Sequence, residues 1–279
     1  MATTTLPHVG WIGLGDQGGP IARAIAEAGY PLHVWSRSGR FTALEGTAYT
    51  AHQNPAEMGE NSDIVGLCLS EDRDNLQVLT DGGLLESLKP GATLINHGTG
   101  LPVAAVELTK LAEPHGVNVV DAPVSGGHAG AVAKQLTTIV GGEPQVVEQL
   151  RPLFDTFSKK VAYMGPAGSG QVSKLINNAL LMANQKNISD FLDLATAQHV
   201  NIDALVDVLR NGTANSRALQ LLGSAVTVDN AEHLSKLQLI DMDIFRDAFP
   251  SMGANVETVT ARAVNGAEDL PKLAALVQH

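Results

Sequence analysis

Lys174, Asn177 and Asn178 are spaced i, i+3 and i+4 at the end of the stretch Gly168-Ser169-Gly170-Gln171-Val172-Ser173-Lys174-Leu175-Ile176-Asn177-Asn178. On a helix their side chains project together. A cation beside two amides can donate a proton to a carbonyl oxygen and hold that oxygen in place. A helix with Lys and Asn on its wet face has the same spacing, so the reading depends on what precedes it.

Upstream, Gly13-Leu14-Gly15-Asp16-Gln17-Gly18 follows a short apolar strand, His8-Val9-Gly10-Trp11-Ile12. It opens a helix whose stripe is Ile21, Ala22, Ile25, Ala26 and Ala28 and whose stop is Gly29. In that context the glycines permit a tight turn, close backbone approach to a pyrophosphate and close helix–strand packing. The phosphates then sit at the helix N-terminus, where free N–H groups and the dipole favour anions. A glycine-rich turn that binds nothing is the alternative.

A site specific for NAD carries an acid about 20 residues on, for the ribose 2′-hydroxyl. Here that place reads Ser36-Arg37-Ser38-Gly39-Arg40, with no carboxylate to repel a 2′-phosphate and with Arg37 able to pair with it or stack on adenine. NADP(H) is therefore favoured, with NAD(H) possible; Arg37 and Arg40 as solvated loop residues is the plainer alternative. A third constellation, Asp121-Ala122-Pro123-Val124-Ser125-Gly126-Gly127, places a glycine pair after a strand, where backbone donors can meet an anion. Without the other motifs it reads as a strand-terminal turn.

The elements that must position these residues follow from hydrophobic periodicity. Strands are expected at 8–12, 32–35, 63–69, 92–96, 117–121, 136–140 and 160–163, with helices at about 103–113 and 144–156. Strands alternating with helices predict a parallel sheet covered on both faces. Beyond Gly170 only helical stretches are found, at about 171–198, 203–211, 216–224, 234–248, 254–266 and 270–277. The reading is an α/β dinucleotide-binding domain, 1–167, followed by an all-helical substrate and oligomerisation domain, 168–279, joined by the long helix of Lys174.

The chain has 279 residues, 44% hydrophobic and 17% charged, enough apolar content for a sizeable core. A formal net charge of −11 argues against nucleic acid, which needs a basic surface, but not against a small anion met by local donors. Cys68 is the only cysteine, which excludes an intrachain disulfide and suits a reducing compartment. Met1-Ala2-Thr3-Thr4-Thr5 lacks the basic start and apolar run of a signal peptide, and no apolar run reaches membrane-spanning length. A cytoplasmic protein with no membrane partner is expected.

With these motifs in order, the chain resembles the β-hydroxyacid dehydrogenase family over essentially its whole length. That family includes 3-hydroxyisobutyrate dehydrogenases and semialdehyde reductases. The resemblance implies an N-terminal Rossmann-type domain, an all-helical C-terminal domain, and a homodimer or homotetramer acting on a small carboxylated hydroxy acid or aldehyde. It makes Lys174 the proton donor or acceptor and Asn178 its partner. It gives the substrate carboxylate to Ser125, Gly126 and Gly127, with Asp241 also at the substrate. It gives the cofactor to Gly13, Leu14, Gly15, Asp16, Gln17, Gly18, Ser36, Arg37, Ser38, Leu69, Ser70 and Thr99.

Four departures stand out. Gln17 replaces a common Met. Asn96-His97-Gly98-Thr99 replaces an Asp-x-Ser-Thr pattern, keeping the Thr. Lys134-Gln135-Leu136 replaces Gly-Thr-Leu. Ile240 takes the place of a lysine that reaches the cofactor in the family, with Asp241 kept and Lys236 one turn earlier. They cluster around substrate and nicotinamide, so the reaction class is expected to persist with an unusual substrate.

Other chemistries fit less well. His97, His115 and His128 are scattered over turns and a helix end, with no close pair on one face, so they read as surface or loop residues and not as a metal centre; His97 and His128 each neighbour a site motif and can line the cleft. No Gly-x-Ser-x-Gly elbow supports a serine nucleophile. Asp241 and Asp243, two apart on a helix, point in different directions. Leu219, Leu222 and Val226 read as core or subunit interface. A reductase of imines or bulky ketones is the alternative enzyme, although that group typically lacks the lysine. A catalytically silent NADP-binding regulator is the alternative of another class.

Overall fold

A computed structural model of the chain describes residues 5–250 and 254–277; the Met1–Thr4 part of the expected leaderless start lies outside them. The chain divides into two compact units, Met1–Lys174 and Leu175–His279. The first unit is built on one sheet whose central strands are apolar on both faces. In β1 (Val9–Ile12), Val9 and Trp11 join one apolar layer and Ile12 the other. The same division recurs in β4 (Ile64–Leu67), β5 (Thr93–Asn96) and β6 (Asn118–Asp121), where Leu94 and Val119 face opposite to Ile95 and Val120. This is the period of two that a strand imposes.

One layer is closed by α1 (Gly18–Glu27) with Ile21, Ala22 and Ile25, and later by α7 (Pro144–Phe154) with Val147, Leu150 and Phe154. Between β1 and β4 the chain forms β2 (Leu32–Trp35), the two-residue β3 (Thr50–Ala51) and α2 (Pro55–Glu60). Met58 of α2 opens the second layer, joined by α3 (Asp72–Leu79), α4 (Leu84–Ser87) and α5 (Pro102–Ala112). Then come β7 (Val124–Ser125), α6 (Gly127–Val132), β8 (Leu136–Gly141) and β9 (Ser158–Gly165).

The strand order is β3-β2-β1-β4-β5-β6-β8-β7, with β9 pairing β8. The strands from β3 to β6 run parallel, as the alternation predicts. The expected parallel Rossmann-type sheet is present, with one antiparallel return in which β8 runs against both β6 and β7. The chain returns from β7 through the six-residue α6 alone, and a parallel neighbour needs a longer crossover. Chain order reverses at β1 and β4, and in such sheets ligands bind beyond the carboxyl ends of the strands at that point.

From Ser169 the chain is helical: α8 (Ser169–Ala197), α9 (Ile202–Asn211), α10 (Arg217–Leu221), α11 (Val228–Ala248), α12 (Ala254–Glu268) and α13 (Leu270–Leu276). The unit boundary falls inside α8. Within the second unit, Leu175, Ala179 and Met182 form an i, i+4, i+7 stripe packed on Met242 and Phe245 of α11 and Ala263 and Ala267 of α12. Farther along, Leu192 joins Val206, Leu219, Leu222, Val226, Leu270 and Leu273 in a second core. The apolar stripe of Leu219, Leu222 and Val226 is thus core.

Candidate active site

The loop after β1 has the sterics of a phosphate cradle. A Cβ on Gly13, whose φ is 98°, would strike the Cys68 carbonyl oxygen, and one on Gly18 would strike the Gly13 carbonyl oxygen. A Cβ on Gly15 would meet nothing within 4 Å. The protein's own packing therefore requires the first and third glycines, while the second faces open space, where a backbone can be closely approached. No side chain caps α1, and its first turn holds no acid. Those N–H groups and the helix dipole suit a pyrophosphate, so the residues present fit a dinucleotide. Trp11 Nε1 donates to the Gly13 carbonyl at 3.0 Å and fixes the turn from below.

Beside this loop is a cleft of about 470 Å³. It gathers Gly13, Leu14, Ser36, Arg37, Ser38 and Leu69 of the residues expected at the cofactor. Gly15 and Asp16 line a neighbouring groove with His128, whose ring Nδ1 lies 2.7 Å from the Asp16 carbonyl. The opposite wall of the cleft comes from α3 and the turn after it, with Asp74, Gln77, Val78 and Asp81. No carboxylate follows β2, yet Asp74 Oδ1 stands 3.5 Å from Arg37 Nη1. Sequence reasoning missed this wall; the acidic first turn of α3, with Asp72 and Asp74, is the signal that could have found the helix.

The loop after β5 carries Thr99, and it is braced from several directions. Asn96 Oδ1 accepts the Gly98 N–H at 3.0 Å, as an aspartate there would, so that departure keeps the acceptor. Gln171 is fully buried; its Nε2 donates to the Gly98 carbonyl at 2.8 Å and its Oε1 accepts the Gly100 N–H at 3.0 Å. Asp72 Oδ2 accepts the Leu101 N–H at 2.9 Å. Thr99 is thereby clamped on both sides by one glutamine, which stands one helical turn before Lys174 on α8.

Asp121, at the end of β6, fixes the start of that helix. Its two carboxylate oxygens accept the Gly168 and Gln171 N–H groups at 2.8 and 2.9 Å. Burial pushes its carboxyl up to about 6, against the pull of the backbone N–H groups of Gly168, Gln171 and Gly170. Lys174 and Asn178, four residues apart on α8, are both buried, while Asn177 is exposed and donates to Asn178 Oδ1 at 3.0 Å. Asn178 Nδ2 donates to Asp241 Oδ2 of α11 at 2.7 Å. Asp243 instead faces solvent and pairs with Arg246 at 2.8 Å.

Ser125 ends β7 half-buried, and Gly126 and Gly127 are exposed with φ of 139° and 64°. Gln17 is half-buried and Gly18 buried at the start of α1, and Ser70 is exposed after β4. At the rim, Lys134 adopts φ 55° and pairs with Glu27 at 2.9 Å; the left-handed backbone is why glycine is common there. Ile240 is 51% exposed, and Lys236 is exposed and paired with Glu232.

The histidines depart from expectation. His97 is neither a surface residue nor a lining of the cleft. Its ring is buried against Trp11, Phe154 and Phe157, with Nδ1 donating to the Ala122 carbonyl at 2.8 Å. Three others form a close series on one edge of the sheet: His8 Nδ1 to His33 Nε2 and His33 Nδ1 to His52 Nε2, each 2.9 Å. Strand pairing brings them together, a proximity that spacing along the chain does not reveal.

Comparison with known proteins agrees with this geometry. Residues 8–165 match the model of the NAD binding domain of 6-phosphogluconate dehydrogenase, and residues 168–266 match the NAD-binding domain of NADP-dependent 3-hydroxyisobutyrate dehydrogenase. An NAD-dependent L-serine dehydrogenase of Pseudomonas aeruginosa is 32% identical over 77% of this chain and 73% of its own. A probable mitochondrial 3-hydroxyisobutyrate dehydrogenase-like protein of Arabidopsis thaliana is 31% identical over 93% of this chain and 89% of its own. The structure of Mycobacterium tuberculosis 3-hydroxyisobutyrate dehydrogenase with L-serine shares the fold, with a TM-score of 0.84 at 24% identity over 97% of this chain and 98% of that one. On the strength of both domain models and both relatives, this chain belongs to the β-hydroxyacid dehydrogenase family.

Proposed function

We propose that the protein transfers a hydride between NADP(H) and a small 3-hydroxy acid or its semialdehyde, with Lys174 moving the accompanying proton. As a family member it is an NAD(P)-dependent oxidoreductase of the hydroxyacid dehydrogenase type. The observation that carries the finer reading is the burial of Lys174 and Asn178 together on a helix whose first turn is held by Asp121 and Gln171. A buried ammonium with few water neighbours is well placed to give its proton to an alkoxide as the carbonyl is reduced, and to take it back in oxidation.

In this reading the loop from Gly13 to Gly18 holds the pyrophosphate, while Ser36, Arg37 and Ser38 take the adenosine end. Leu69, Ser70 and Thr99 line the path between. The bound cofactor supplies or accepts the hydride. Asp241 occupies one donor of the Asn178 amide and so orients the other toward substrate oxygen. Ser125, Gly126 and Gly127 receive the carboxylate through a hydroxyl and backbone N–H groups. Residues 1–167 then serve the dinucleotide and 168–279 the substrate and assembly into a homodimer or homotetramer, in the cytoplasm. NAD(H) stays the alternative cofactor, supported by the NAD-dependent relative.

A spectrophotometric screen of NADPH oxidation against glyoxylate, succinic semialdehyde and related short carboxylated aldehydes tests the proposal. Turnover that needs the carboxylate is the expected result. Reduction of imines or bulky ketones with no turnover of carboxylated aldehydes would favour the second reading, against which Lys174 argues. Tight NADPH binding with no turnover at all would point to a silent regulator.

A further inference from the structure

The wall of the adenosine cleft opposite Arg37 is acidic. Asp74 and Asp81 both line it, and Arg37 is the single cation among its lining residues. Arg37 is also not directed at an empty site: its Nη1 lies 3.5 Å from Asp74 Oδ1, with the arginine side chain 79% exposed and the aspartate 25%. Ser36 and Ser38 beside it are hydrogen-bonded to each other at 3.1 Å. The group best suited to a 2′-phosphate thus begins paired to a carboxylate across the cleft.

We infer that Asp74 is a specificity-determining residue which latches Arg37 across the adenosine cleft and lowers the preference for a 2′-phosphorylated dinucleotide. The inference rests on the cofactor assignment proposed above. An exposed pair of this kind contributes little by itself, so a ligand can displace it. A 2′-phosphate must both take Arg37 from Asp74 and settle near a like charge. A 2′-hydroxyl does neither. The latch therefore acts on the difference between the two cofactors and leaves the shared pyrophosphate and nicotinamide contacts unaffected.

The test is a set of dissociation constants for NADPH and NADH, by titration calorimetry at low ionic strength, on the full chain and on Asp74→Asn, Arg37→Ala and the double variant. Asp74→Asn is expected to tighten NADPH roughly three- to fivefold, the upper range of an exposed charge contact, with NADH unchanged within about twofold. In the Arg37→Ala background the same substitution should give a clearly smaller gain, because only repulsion is then relieved. Equal gains in both backgrounds would show that Asp74 acts as a distant charge and overturn the latch. So would an unchanged NADPH-to-NADH ratio in Asp74→Asn. The thermal midpoint of each variant serves as the folding control. Failure of the unaltered chain to bind either dinucleotide would instead overturn the cofactor assignment, so the two ideas fail separately.

Discussion

His97 shows what a single buried side chain does to the pH response of the protein. Burial holds its imidazole down to about 4 from an ordinary 6.5, against the Ala122 carbonyl that favours the charged form. Its Nε2 has no hydrogen-bond partner among the described residues, so the neutral ring is the form the core accepts. Because the folded value is lowered, the unfolded chain binds the extra proton first. Stability is full above pH 6.5 and lost as pH falls toward 4, worth roughly 3 kcal/mol at about 1.4 kcal/mol per pH unit. Asp121, raised to about 6 by burial, acts with the opposite sign: its contribution is present below about pH 4 and lost as pH rises to 6. Urea denaturation of the native chain and His97→Phe across pH 4 to 7 isolates the histidine. The stability difference between them should shift toward the variant by roughly 3 kcal/mol on acidification; parallel curves would contradict the assignment. At this scale the common helix of Lys174 and Asn178 was legible, because i, i+4 spacing is a local property. The burial of His97, the Gln171 clamp on Thr99 and the Asp74 contact to Arg37 were not, because each depends on a partner far away in the chain.

The elements that position the site depend on close packing at a few backbone points. Trp11 of β1 pairs in register with Gly66 of β4, and a Cβ on Gly66 would lie inside the indole ring's contact distance. The same indole donates to the Gly13 carbonyl. Gly66→Ala should therefore move Trp11 and disturb the pyrophosphate turn along with the sheet. A loss of roughly 1–3 kcal/mol is expected from overpacking, read as a lower thermal midpoint, together with weaker binding of both NADPH and NADH. Normal binding with unchanged midpoint would show that the strand accommodates the methyl group. Elements with a clear apolar pattern were readable from sequence: β2 spans 32–35 as expected, and α8 runs 169–197 against an expected 171–198. The pieces without such a pattern were not. Strands β3 and β7 have two residues each, and α3 is mostly polar.

For the whole molecule, the acidic balance of −11 means that an anionic dinucleotide must be met by local donors, of which the uncapped N–H groups of α1 are one set. No described helix is long and apolar enough to cross a membrane. The two-part architecture was legible because strand signals end where α8 begins. The antiparallel return of β8 was not, since strand direction is decided by short connections whose residues carry little pattern. In the proposed reaction Lys174, held on α8 by the Asp121 and Gln171 contacts, moves the proton that accompanies hydride transfer. Steady-state kinetics of Lys174→Ala, with NADPH affinity measured on the same protein, tests it most directly. A kcat lower by roughly 10²- to 10⁴-fold with NADPH affinity little changed is expected, and full turnover by this variant would overturn the assignment of the proton to Lys174.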